Sequence, residues 1–165
     1  MEVEHWNSYL CPDLTPSQAR ERLEALFRVG ELEAKNPTPN RGSLRVTIDE
    51  TRLEHCLFKP TTRSRARHGK NFRPGDFLPA RAELIDLVGL CLSEPELILE
   101  RPSHPQSLLF SVVSTSGDRL VVVTSIPNRG SCSLKTFYPV RADDPEAQRD
   151  WRKKLLTYKK RFETK

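Results

Sequence analysis

No C-x-x-C pair, no Cys/His spacing of the zinc-binding kind and no apolar run approaching a membrane span occur in this sequence. Cys11, Cys56, Cys91 and Cys132 stand far apart, which argues against a chelating motif, so neither a metal nor a cofactor is expected. Cys56 and Cys91 lie in apolar runs and read as small buried hydrophobes. Met1 is followed by Glu2 and Glu4 rather than by a basic and then apolar stretch, so no signal peptide is expected. Cytoplasmic synthesis and action are the default expectation, with no membrane partner. Paired carboxylates, a Ser/His/Asp ordering, a phosphate-cradling glycine motif and internal repeats are also missing. Those absences remove the commonest hydrolase and nucleotide-binding chemistries.

Hydrophobic residues are sparse at 36% and charged ones abundant at 30%, yet the aliphatic residues gather in blocks, as a folding chain requires. A length of 165 residues is enough to bury one continuous core, so one domain is expected. The formal net charge is +5, and the excess is clustered. Lys59, Arg63, Arg65, Arg67, Lys70, Arg73 and Arg81 face only Asp76 in their stretch, and a second basic zone runs from Arg149 to the C-terminal Lys165. Clustered cations suit a polyphosphate ligand, because each neutralised phosphate releases condensed counterions; solvated faces are the plainer explanation.

Thr15-Pro16-Ser17-Gln18 starts a helix, with Thr15 as N-cap, Pro16 at the first helical position and Gln18 completing a capping box. Ala19, Leu23, Leu26 and Phe27 continue it at helical spacing to about Gly30. Asn36 to Gly42 is a loop by composition. Leu44 to Ile48 alternates as a strand, and Asp49 caps a short helical piece that turns Leu53, Cys56 and Leu57 inward. From Lys59 to Gly75 no apolar periodicity survives, which gives a long exposed loop. A helix entered through Asp76 and Pro79 packs Leu84, Ile85, Leu87, Val88, Cys91 and Leu92 inward until Glu94-Pro95 stops it. Strands follow at Leu97–Leu99, Leu108–Val113, Arg119–Thr124 and Ser133–Val140, with turns at Ser116-Gly117-Asp118 and Asn128-Arg129-Gly130. Asp144-Pro145 opens a closing helix whose Trp151, Leu155, Tyr158 and Phe162 form one apolar stripe against a basic remainder. The expected fold class is α+β: an antiparallel sheet of about four strands packed against helices, with an extra N-terminal helix and a C-terminal amphipathic helix.

Arg65-Ala66-Arg67-His68-Gly69-Lys70-Asn71-Phe72 lies in the basic loop, a helix follows, and the last strand reads Leu134-Lys135-Thr136-Phe137-Tyr138-Pro139. Metal-independent RNA cleavage needs a base for the 2′-hydroxyl, an acid for the leaving 5′-oxygen, and cations or hydroxyl donors around the phosphate. These residue types can fill the roles. Arg67 to Phe72, the helix, the Ser93-Glu94-Pro95 stop and the Thr136-Phe137-Tyr138 element together resemble the colicin D-like and phage-encoded members of the barnase, EndoU, colicin and RelE ribonuclease fold, over roughly residues 50 to 140.

The resemblance implies an endoribonuclease of toxin or phage and mobile-element effector type, acting on RNA, often tRNA, and restrained by an inhibitor protein such as an antitoxin or immunity protein. It divides the single domain into an N-terminal helical extension (1–43), a nuclease-like core (44–140) and a C-terminal basic helix (141–165). It makes His68 the general base or acid, Arg65 and Arg67 phosphate clamps, and Thr136 and Tyr138, or Phe137, the hydroxyl and aromatic groups of the last strand. The chain carries arginine where those members have lysine, which suits phosphate binding but removes a titratable group. From position alone, Lys70, Arg81, Ser125 and Arg129 are candidates for substrate binding, and His55 is a second candidate for the acid or base. An idle surface position remains the alternative for His68, His55 and Lys70, an ion pair with Glu83 or Asp86 for Arg81, and plain turn chemistry for Arg129. A non-catalytic RNA-binding module, and an adaptor that docks a protein through the Trp151 to Phe162 stripe, are the competing functions.

Overall fold

The computed structural model describes residues 2–3, 6–28, 32–60 and 74–164, and its elements start where the local chemistry of the chain directs them. After β1 (Glu2–Val3) and a 3₁₀ turn at Trp6–Tyr9, α1 (Pro16–Arg28) opens on a closed capping box. The Thr15 N–H donates to Gln18 Oε1 at 2.9 Å, and the Gln18 N–H donates to Thr15 Oγ1 at 3.2 Å. β2 (Glu33–Ala34) and β3 (Leu44–Thr47) flank the Asn36 loop. Asp49 accepts from the Arg52 N–H and starts α2 (Glu50–Leu57). β4 (Phe58–Pro60) and β5 (Pro74–Phe77) then pair as a two-stranded ribbon, and the Phe58 and Phe77 rings lie 5.6 Å apart between centroids. The long loop expected from Lys59 to Gly75 is thus strand at both ends.

The single helix expected next is two, α3 (Pro79–Ala82) and α4 (Ile85–Ser93). β6 (Leu97–Arg101), β7 (Ser107–Ser114), β8 (Arg119–Thr124) and β9 (Ser131–Val140) form a meander of antiparallel neighbours. Asp144 caps α5 (Pro145–Thr157) by accepting from the Glu146 and Ala147 N–H groups, each at 3.1 Å. β10 (Lys159–Glu163) closes the chain.

The α+β class holds, but the sheet is not an antiparallel one of about four strands. It is mixed and curls into a half-barrel, in the order β10-β6-β7-β8-β9-β3-β2, with β1 pairing off this path on β7. Two pairings are parallel, β3 with β9 and β1 with β7. Counting consecutive hairpins finds the meander and misses both, because a parallel pair joins segments far apart in sequence through a long crossover.

The C-terminal helix is corrected too. It stops at Thr157, so Tyr158 and Phe162 do not continue its stripe; Lys159 to Glu163 pairs instead with the outer edge of β6. Leu97 to Leu99 are buried, and backbone groups on a buried strand need partners that a helix could not supply.

Both faces of the central strands are covered. Leu108, Phe110 and Val112 of β7 join Leu120, Val122, Leu134 and Phe137 against α1, α2 and α4. Leu109 and Val121 point the other way, towards Trp151 of α5. Deleting the fully buried Phe110 side chain leaves a cavity that these covered faces cannot easily fill. Phe110→Ala is expected to lower stability by about 3–5 kcal/mol in chemical denaturation, whereas Leu156→Ala, at a residue 87% exposed, should change it by less than about 0.5 kcal/mol.

Candidate functional site

The register of β9 shifts between Val123 and Thr124 of its partner: Thr124 faces Leu134, but Val123 faces Thr136. Lys135 is therefore the extra residue of a β-bulge. Before it, Cys132 and Leu134 enter the large core; after it, Phe137 does, while Tyr138 packs on the opposite face beside Val121, Val123 and Tyr158. Thr136 and Tyr138 share one face as expected, but not the face of Cys132 and Leu134. Phe137, the alternative to Tyr138, is fully buried in the large core.

Beyond Ser133, the edge of β9 opposite β8 has no strand neighbour among the described residues, and α2 and α3 pack against it. Cys56 Sγ of α2 lies 3.9 Å from the Lys135 carbonyl oxygen. From α3, Arg81 Nη1 donates to Thr136 Oγ1 at 3.3 Å and to the His55 carbonyl oxygen at 3.4 Å. Arg81, a residue expected to bind substrate, is thus brought to Thr136 and to the neighbourhood of Tyr138.

Arg81 is half-buried, and burial pushes its guanidinium below the ordinary pKa, with Cys56 and Tyr138 as the titratable groups that act on it. No carboxylate pairs with it among the described residues. Other half-buried arginines do have such partners: Arg119 with Glu96, Arg161 with Glu100 at 2.7 Å, and Arg141 with Glu83 at 2.7 Å. Further cations lie nearby. Lys135 Nζ donates to the Gln106 carbonyl oxygen at 3.1 Å, and burial, then Arg52 and Arg101, pushes its pKa down. Burial and then Arg52 likewise hold His55 below the usual imidazole value. Sequence reasoning missed Arg52, Arg101 and Lys135, which lie outside the basic runs and meet only through the bulge and the α2 contact.

Tyr138 is pushed up to about 12, first by burial and then by Tyr158. Lys154 of α5 lies over its ring at 5.6 Å. Tyr138 is therefore a proton donor at neutral pH and not a base.

Arg65, Arg67, His68 and Lys70 fall in the stretch 61–73, outside the described residues. The residues that flank that stretch, Pro60 and Pro74, pair with each other, and Leu78 N–H donates to the Leu57 carbonyl at 2.8 Å. Ser125 and Arg129 lie towards the other end of β9. Ser125 extends the ladder, its Oγ accepting from the Ser133 N–H at 2.9 Å, and Arg129 sits in the turn with φ of 52°.

All four cysteines are free and buried, with pKa values raised by burial, Cys56 to about 12. None is a poised nucleophile. Among the described residues no group of three His, Cys, Asp or Glu side chains could hold a metal ion, and no helix is long and apolar enough to cross a membrane. No family model, curated protein or solved structure matches the chain.

The position of Tyr138 has a measurable consequence. Its folded-state pKa is raised above the unfolded value of 10.0, so its contribution to stability is complete below pH 10 and is lost as pH rises through about 12. Ultraviolet titration of the folded protein should show a tyrosine ionising near pH 12 that disappears in Tyr138→Phe, and that variant should lose less stability over the same interval.

Proposed function

We propose that the protein acts on RNA as a metal-independent endoribonuclease, with Arg81 as the anchor for the phosphate. The observation that carries this reading is the half-buried Arg81 guanidinium, held by two neutral oxygens and unpaired with any carboxylate among the described residues. A cation taken partly out of water without an anion leaves its charge available to a ligand, and arginine offers a phosphate a forked, paired contact. Lys135, Arg52 and Arg101 extend the positive field around it.

In this mechanism the 2′-hydroxyl attacks the adjacent phosphorus and the bond to the 5′-oxygen breaks, leaving a cyclic phosphate. His68 takes or returns the proton, with His55 as the alternative. Arg81, aided by Arg65, Arg67 and Lys70 from the neighbouring segment, stabilises the charge that builds on the non-bridging oxygens. Thr136 and the protonated Tyr138 are the available hydroxyl donors. The resemblance to colicin D-like ribonucleases supports these loop roles. It also supports a toxin or phage-borne effector acting in the cytoplasm, a tRNA substrate and an inhibitor protein as partner.

A second reading, a non-catalytic RNA-binding module, is favoured by one observation. The Thr136 hydroxyl already accepts from Arg81, and Tyr138 packs in the cluster beneath α5, so neither stands free over a substrate.

Incubating the purified chain with total RNA in EDTA separates the two. Discrete fragments are expected, with turnover lost in His68→Ala while RNA binding persists, and turnover reduced by about 100-fold in Arg81→Ala, the usual effect of losing one preorganised donor. Intact RNA that is bound, but less tightly by Arg81→Ala, would establish the module instead. Binding and cleavage both unchanged in Arg81→Ala would remove Arg81 from the site.

A further inference from the structure

We propose that the cleft between the two edges of the sheet is a nucleotide subsite, taking one nucleotide of the same single-stranded RNA whose backbone Arg81 contacts; this rests on the RNA reading above. Among the described residues the half-barrel does not close. Its edge strands are β2 and β10, and a cleft of about 590 Å³ is lined by Glu33 and Ala34 from one and by Arg161 and Phe162 from the other. A second hollow of about 510 Å³ shares Asn36 to Thr38, Arg41, Ser43 and Arg161 with the first and continues to the turn carrying Arg129. Together they are of the size that accommodates small ligands.

The chemistry of the walls is mixed. Asn36 locks the loop across the cleft, its Nδ2 donating to the Gly42 carbonyl at 3.1 Å and its Oδ1 accepting from the Thr38 N–H at 3.0 Å. Apolar surface comes from Phe162 and Ile126, with Lys35 Nζ 4.6 Å from the centre of the Phe162 ring. Arg41 and Arg129 both line the second hollow and are exposed with no carboxylate partner among the described residues, whereas Arg161 is paired with Glu100. Backbone in the left-handed region presents both: Asn40, just before Arg41, has φ of 63°, and Arg129 itself has φ of 52°. Asparagine suits that region, but arginine gains nothing from it. A partly apolar cleft that carries two guanidinium groups without a carboxylate partner among the described residues fits a flat base joined to a phosphate.

The path from Arg81 makes this nucleotide part of a strand. Thr136 and Ser131 are separated by about 16 Å along β9, with Lys135 next to Thr136 and the Arg129 turn just before Ser131. Arg52 and Arg101 act on Lys135 from α2 and from β6. Cations thus mark the route from Arg81 to the cleft, as in grooves that track a single-stranded backbone.

The test uses the full chain and a short single-stranded RNA, with affinity measured across a salt series for the wild type, Arg81→Ala and the double variant Arg41→Gln/Arg129→Asn. Asparagine at 129 accepts the positive φ, so the double variant should keep or raise the Tm while its RNA affinity falls roughly tenfold and its salt slope drops by about 1.4, the value for two lost phosphate contacts. Weakened binding in both variants supports the subsite. Weakening in Arg81→Ala alone overturns it and leaves the RNA reading standing. Weakening in the double variant alone keeps a cleft contact but overturns the strand path from Arg81. No binding by the wild type overturns both, and a fall in Tm that matches the loss of affinity assigns the two arginines to structure.

Discussion

Strand β9 carries two incompatible neighbours in succession, and most of the molecule is arranged around that fact. Its first residues pair in parallel with β3 and its remainder pairs antiparallel with β8. Where β3 ends, the backbone on that side needs other cover, and α2 and α3 supply it. The bulge at Lys135 falls within this transition, turning Phe137 into the core and Thr136 and Tyr138 away from it. A straight strand would have alternated without interruption and sent Thr136 into the large core. The same extra residue that satisfies packing on one side therefore delivers a hydroxyl to Arg81 on the other.

Electrostatics divides the arginines into two groups with different work. Arg22 with Asp86, Arg119 with Glu96 and Arg141 with Glu83 tie elements together through carboxylates. Arg119 also lies over the Trp151 ring at 4.9 Å, which fixes α5 on the sheet. Arg81 bridges α3 to β9 with neutral oxygens only, a weaker arrangement than an acid would give at the same place.

Local chemistry was the legible part of this sequence. The capping box at Thr15 and Gln18, the Asp49 and Asp144 caps, the Asn128-Arg129-Gly130 turn and the four meander strands all follow from a few adjacent residues. What stayed hidden depends on distant partners. Nothing in Leu44 to Thr47 says that it lies parallel to Ser131 to Ser133, and nothing in Lys159 to Glu163 outweighs its helical spacing until β6 is known to need an outer neighbour. The site divides in the same way. Arg81 was named from its position beside the basic loop and Thr136 and Tyr138 from the family resemblance, but Lys135, Arg52 and Arg101 come together only through a register shift that no short motif encodes.

The sheet stops short of closing, and an unclosed sheet keeps two edges that could recruit strands from another copy of the chain. β2 offers only two residues, too few to template a partner. β10 is longer, but its Lys159 and Lys160 are exposed, and charged side chains on an edge strand disfavour the docking of a further strand. Basic residues that read at first as one more patch for nucleic acid thus also guard against polymerisation, letting the half-barrel remain open without becoming the seed of a fibre.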